Sequence, residues 1–188
     1  MIYKNALLLF FSLLVISIAL WTTILSLKRK TPVTLSKVSK PDAYMENVIA
    51  QIMDKQGKLK MKIVTPKVVY YSDKNISHLT TPTITLYRRS TWPWYISSKT
   101  AEAIDGIERI NFYEDVAIQH PADQSNPATL INTTTLVVFP NKQIAQTEAA
   151  ITFCQPNLKV TAKGMFADMD KGSIKLLAET RGEYAPTP

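Results

Sequence analysis

Cysteine is nearly absent. A single residue, Cys154, excludes an intramolecular disulfide framework and a zinc site built from thiolates. Histidine is almost as scarce, and His78 and His120 stand too far apart in sequence to suggest a metal cluster. Only five glycines occur in 188 residues, so turns must lean on proline, asparagine and aspartate, and there is no Gly-rich phosphate loop or Walker sequence. No Ser, Thr or Cys stands beside a recognisable base, which leaves nucleophilic catalysis without candidates. His78 lies in a polar turn and His120 before Pro121 in a Pro- and Asn-rich loop, and both read as solvated surface histidines. Cys154, next to Gln155-Pro156 at a strand end, reads as a small buried hydrophobe. Asp168 and Asp170 flank a turn before Gly172 without the ring of oxygen ligands that a calcium loop needs. No enzyme, metal or cofactor is expected.

Charge is also missing from one long stretch. Ala6 to Leu27 is 22 residues without a charged side chain, rich in Leu, Ile, Val and Phe. As a helix it spans roughly 33 Å, slightly more than the ~30 Å hydrocarbon core of a bilayer. In lipid a helix satisfies every backbone polar group internally. The run exceeds the apolar core of a secretory signal, and Thr22–Lys30 offers no A-x-A-like cleavage site, so a retained anchor over 6–27 is preferred to a cleaved signal or a buried soluble helix. Lys4 on one side faces Lys28, Arg29 and Lys30 on the other, a balance that on its own slightly favours a cytoplasmic C-terminal body. Residues 28–41 form the linker, where Thr31 to Pro41 holds two prolines among scattered Ser, Thr and Lys.

From residue 42 to 188 the dominant period is two. Lys58-Leu59-Lys60-Met61-Lys62-Ile63 alternates charge and apolarity, as a half-buried strand does. The same alternation returns at Thr83–Leu86, Ile110–Phe112, Ile151–Phe153, Leu158–Thr161 and Ile174–Leu176. Turn chemistry separates these runs at Asp54–Gly57, Ser72–Asn75, Asp105-Gly106, Pro140–Lys142 and Asp168–Gly172. Only Ala101–Ile104 hints at a helical turn. Short strands punctuated in this way predict an all-β sandwich, barrel or jellyroll. A weak repeat starts at Val64, Ile96, Ile131 and Val160, with spacings of 32, 35 and 29 residues. Either it marks stacked hairpins around one elongated core, or Thr-rich strands are merely aligning with one another. A hairpin stack would leave unpaired backbone groups on its terminal strands, open to strand addition.

The net charge of +7 has no nucleic-acid motif or basic-aromatic platform behind it, and no nucleic acid is expected as a partner. Lys58, Lys60, Lys62, Lys67, Arg88, Arg89 and Lys99 read as a solvated face that also tolerates anionic lipid headgroups. Two other classes stay open. One is a membrane-tethered structural adaptor that adds strands to protein partners and carries no lipid. The other is a polysaccharide-binding module that uses Trp92, Pro93 and Trp94.

Three stretches carry a family likeness. Gly57-Lys58-Leu59 opens a strand that leads to Tyr70-Tyr71-Ser72-Asp73 and then to Thr80-Thr81-Pro82. Trp94 to Ala101 is similar to a W-x-[LV]-x-A-[DK]-x-A segment, and Leu158–Gly164 with Tyr184 completes the pattern. Together with the apolar N-terminal run, these make the chain resemble the LptC family, the bitopic inner-membrane component of lipopolysaccharide export. The resemblance implies an open, OstA/LptA-like β-jellyroll of stacked hairpins on one transmembrane helix. It implies the inner membrane as location, with the C-terminal domain in the periplasm, against the simple charge rule. It also implies three partners: lipopolysaccharide, the LptBFG ABC transporter that supplies it, and LptA, the periplasmic bridge protein that receives it.

Within that picture, alternation and chain position select the groove candidates: Val48, Leu59, Met61, Ile63, Leu79, Ile84, Leu86, Ile96, Phe112, Ile118, Ile151, Phe153, Val160, Ile174 and Tyr184. They are expected to line one continuous apolar channel. The resemblance puts the LptA-facing edge at the last strand, with Ile174, Leu176, Ala178 and Tyr184. Ala149-Ala150-Ile151-Thr152 stands where some relatives carry a glycine.

Overall fold

Strict alternation makes strands, and it makes them long. A computed structural model describes residues 21, 40–87, 93–122 and 127–185. Its strands are β1 (Ala43–Met53), β2 (Leu59–Tyr71), β3 (Ile76–Thr80), β4 (Thr83–Leu86), β5 (Trp94–Ser97), β6 (Thr100–Ile104), β7 (Arg109–His120), β8 (Thr129–Phe139), β9 (Ile144–Gln155), β10 (Leu158–Asp168) and β11 (Ser173–Tyr184). All of them lie in the compact unit Ser39–Pro188 and join in one antiparallel sheet. Ala101–Ile104, the one helical hint, belongs to β6, where Ala101 and Ala103 are buried and Glu102 points the other way. Apart from Trp21, the predicted membrane helix 6–27 lies outside the described residues, as does nearly all of the linker 28–41. Among those described, no helix is long and apolar enough to cross a membrane.

The sheet folds over on itself. β2 pairs with β4 through Met61–Val64 and with β3 through Lys67–Tyr71. In the same way β7 pairs with β6 through Arg109–Tyr113 and with β5 through Ala117–Gln119. β3 and β4 are therefore two halves of one pass broken at Thr81-Pro82, and β5 and β6 are halves broken at Ser98-Lys99. A single fold line crosses every pass and divides the sheet into a β3–β6 layer and a β4–β5 layer.

The chemistry along that line explains the bend. Registers slip there between β7 and β8 at Tyr113/Val116, between β8 and β9 at Thr133/Val137, and in β10 around Lys163. Positive φ angles gather on it at Asn47, Thr81, Glu114, Asp115, Gly164 and Glu179, as expected where bulges turn strands sharply. Slipped registers strand backbone carbonyls, and buried hydroxyls take them up. Thr65 Oγ1 donates to Thr80 O at 2.6 Å, Ser98 Oγ to Thr100 O at 2.8 Å and Thr133 Oγ1 to Ala150 O at 3.0 Å. The weak repeat acquires a meaning here: Val64, Ile96, Ile131 and Val160 each enter the fold line on alternate passes.

The inner faces of the two layers share one hydrophobic core. At either end the sheet simply stops. Among the described residues β1 pairs only with β2 and β11 only with β10, leaving one edge of each without a partner strand there. The result is an all-β, open jellyroll.

Candidate functional site

Cross-strand pairing aligns the predicted groove residues better than the sequence could. In the β4–β5 layer one inner row runs through Ala50, Ile63, Ile84, Ile96, Ile118, Ile131, Phe153, Val160 and Gly182, one residue from each successive pass. Six of the predicted residues sit in it. Met61 and Leu86 occupy the neighbouring row with Ile52 and Trp94. Across the interior, the β3–β6 layer presents Met45, Val68, Leu79, Ala101, Phe112 and Leu136 in register. Ile174 closes another inner row behind Val138, Ala145 and Ala167. Val48 and Ile151 lie at the fold line opposite Thr65 and Thr133. Leu59 faces Met53 at a strand end.

Burial then splits the set. Met61, Ile63, Leu79, Ile84, Leu86, Ile96, Phe112, Ile118 and Ile151 are sealed in the core, and Met61, Ile96 and Phe112 are 0% exposed. Val48, Leu59, Phe153, Val160 and Ile174 are half-buried, as are Ala50, Ile52 and Leu176. Tyr184 is 70% exposed on the edge strand opposite Leu158. The interior is thus a trough packed solid at its centre and open at both ends. The first opening is floored by Met45, Val48, Ala50 and Ile52, the second by Phe153, Val160, Ile174 and Leu176.

The outer faces differ. Val137, Gln146, Phe166 and Lys175 form an outward row beside the inner Val138–Ile174 row. Together with Thr135 and Leu177 they line a hollow of about 590 Å3 that alternation alone did not single out. Past it, β11 carries Glu179, Arg181 and Glu183, all exposed, and Ala178 lies exposed opposite Lys163.

Three sequence expectations need correction. His120 is 6% exposed, not solvated, because it continues the inner phase of Val116 and Ile118 and its ring packs at 4.7 Å on Trp94. Cys154 is half-buried and outward, one position out of phase with Phe153. His78 is exposed as expected, but it lies in strand β3 and not in a turn, paired with Glu102 and within 3.4 Å of its carboxylate.

Electrostatic shifts stay local to turns and bends. Lys99 is raised by its hydrogen bond to Asp115, 2.8 Å away on the fold line. Burial raises Tyr113. Asp168 is lowered because the Lys171 backbone N–H donates to Oδ1 at 3.0 Å, with the Lys171 ammonium at 3.1 Å from Oδ2. Among the described residues no group of three acidic, His or Cys side chains could hold a metal. What this arrangement can do is present apolar surface at two open ends and unpaired strand edges beside each.

Known proteins supply the remaining context. A family model described as "Lipopolysaccharide-assembly, LptC-related" matches residues 12–185. No curated protein matches the chain. With nearly its whole length covered, the chain belongs to the LptC family, and its role lies in lipopolysaccharide transport.

Proposed function

We propose that the chain hands lipopolysaccharide from the LptBFG transporter to LptA, holding acyl chains in the open ends of its trough. The observation that carries this reading is the coincidence of exposed apolar floor and unpaired edge at both terminal strands. The apolar segment 6–27 anchors the chain in the inner membrane, 28–41 is its linker, and 42–188 stands in the periplasm. The β1 edge receives the transporter's β-domains. The β11 edge, with Ile174, Leu176, Ala178 and Tyr184, adds the first strand of LptA. Main-chain bonds supply affinity there and alternate side chains supply choice of partner. ATP hydrolysed elsewhere drives the movement.

Photo-crosslinking residues placed at Val48, Phe153 and Ile174 in cells are expected to capture lipopolysaccharide, and silence at all three would sink the lipid reading. Leu176→Pro removes a ladder donor from β11 and is expected to abolish LptA capture while transporter association survives; the opposite pattern would reverse the assignment of edges. A reporter fused to the C-terminus fixes the compartment.

The packed centre favours a second reading. A solid core at Met61, Phe112 and Met165 suits a tethered adaptor that joins two protein partners by strand addition and carries no lipid. Mass spectrometry of lipid co-purifying with the chain decides between the two.

A further inference from the structure

Opposite the fold line, the free margins of the two layers meet at one seam, and its chemistry differs from that of the core. From the β4–β5 layer come Lys60, Leu86 and Tyr87; from the β3–β6 layer come Pro140, Gln143 and Met169, which belong to the β8–β9 and β10–β11 turns. Lys60 Nζ donates to Asn141 Oδ1 at 2.6 Å, and Asn141 Nδ2 donates on to Glu108 Oε1 at 3.1 Å. This polar bridge ties the margin of one layer to two turns of the other. Below it Met169, 3% exposed, fills the gap, and its backbone N–H donates to Gln143 O at 2.8 Å. The space left among these residues is about 10 Å3, on the order of one water.

Three features mark this closure as one that opens. An ammonium bonded to an amide oxygen is held less firmly than one bonded to a carboxylate or phosphate. Gln143 Oε1 is buried in the seam without a protein hydrogen-bond partner among the described residues, so no protein group pins this side chain in the closed seam. Methionine is the side chain best able to leave a packed gap and refill it. The hydroxyl-lined fold line, by contrast, leaves none of its stranded carbonyls at Thr80, Thr100 or Ala150 unpaired.

Resting on the lipid-carrying reading, we infer that Lys60, Asn141 and Met169 form a gate across the packed centre of the trough, opened by an amphiphile bearing an anionic phosphate. The phosphate takes Lys60 from Asn141. An acyl chain then displaces Met169 and reaches Leu86 and Met61 behind it. The two open ends are thereby joined only while ligand is present, which reconciles a sealed core with passage along its length.

The test uses the full chain in detergent with labelled lipopolysaccharide as probe. Lys60→Cys and Asn141→Cys are combined in a Cys154→Ser background, and the pair is either bridged by a short bifunctional maleimide or capped separately by a monofunctional one. Capped protein, which lacks the Lys60 ammonium, is expected to load more slowly than wild type, and bridged protein at least tenfold more slowly than capped protein. Equal loading of bridged and capped protein would overturn the gate while leaving lipid carriage intact. Wild-type and capped protein that both fail to load would overturn the lipid reading and the gate with it. Asn141→Ala, a change at an exposed turn residue, keeps the question answerable if the double variant fails to fold. It is expected to load several-fold faster with little change in thermal midpoint, and an unchanged loading rate would count against the polar bridge.

Discussion

Gly164 gives the sharpest test of how the sheet is folded. It sits at the fold line in β10 with φ of +78°, and a Cβ built there would lie 3.0 Å from Leu177 Cδ1 and 3.2 Å from Leu177 Cβ on the edge strand. Gly164→Ala therefore meets two costs. The left-handed backbone penalises any L side chain by about 1–2 kcal/mol. Leu177 is 59% exposed and its Cδ1 can swing away, whereas its Cβ at 3.2 Å is fixed by the backbone and must give by a few tenths of an ångström. The backbone cost should dominate, giving a loss of about 1–2 kcal/mol. For a unit of this size that is a fall in thermal midpoint of roughly 2–8 °C. A double-mutant cycle with Leu177→Ala, which removes Cδ1 and Cγ but keeps Cβ, isolates the part of the clash that the isobutyl group makes. Leu177→Ala alone should change stability by less than about 0.5 kcal/mol, as exposed surface substitutions do. The double variant should retain most of the Gly164→Ala loss. Urea unfolding of the four proteins reads the cycle directly. Full rescue by Leu177→Ala would show that the clash, not the bend, requires glycine, and a neutral Gly164→Ala would refute the bend argument itself.

Three further outcomes follow from the same geometry. Phe112→Ala empties the centre of the core, where Phe112 pairs with Ala101 and Leu136, and should cost about 3–5 kcal/mol in urea unfolding. Thr133→Val keeps the shape but strands Ala150 O at the bend, so a loss of about 1–3 kcal/mol is expected, and a variant as stable as wild type would remove the hydroxyls from the account of the fold line. Asp168, with its carboxyl held below the usual range by Lys171, contributes stability that is complete above about pH 4 and lost as pH falls through its lower folded value. The stability gap between wild type and Asp168→Asn should accordingly narrow in acid, and a gap that widened would give the linkage the wrong sign.

Period-two alternation and turn chemistry were enough to read most strands, since each is a local property of the chain. The same alternation brought Ile63, Ile84, Ile96, Ile118, Phe153 and Val160 into the list of groove candidates, and pairing sets them in one row. The fold line was not legible, because β2 reads as one uninterrupted run from Leu59 to Tyr71 and its two halves choose different partners only in the folded sheet. Pro66-Lys67, two exposed positions in succession between buried Thr65 and Val68, is the slip in phase that a closer count would have caught. His120 was misread for a related reason. Its loop-like neighbour Pro121 outweighed its phase with Val116 and Ile118, which places it inside. The seam lay beyond sequence reasoning altogether, since Lys60 and Asn141 are 81 residues apart and neither stands in a motif.

The open ends of the trough have a physical cause in the sheet itself. An inner side chain is sealed only when the passes on both sides supply neighbours, so burial is complete from Ile63 to Ile131 and fails at Ala50, Phe153 and Val160. At the far end the deficit is deepened by Gly182, which adds no side chain opposite Val160 although a Cβ there would sit at an ordinary 3.8 Å from Val160 Cγ2. A sheet continued past β11 would cover this floor, and each half-buried large apolar side chain so covered contributes on the order of 1 kcal/mol. Free edges of this kind ordinarily invite indiscriminate pairing. Here the outer face of β11 carries Lys175, Arg181 and Glu183 in mixed sign, and directly opposed like charges weaken a strand pair. On the proposed reading, the inner face would supply the drive to extend the sheet, and the outer face would limit which strand could do it.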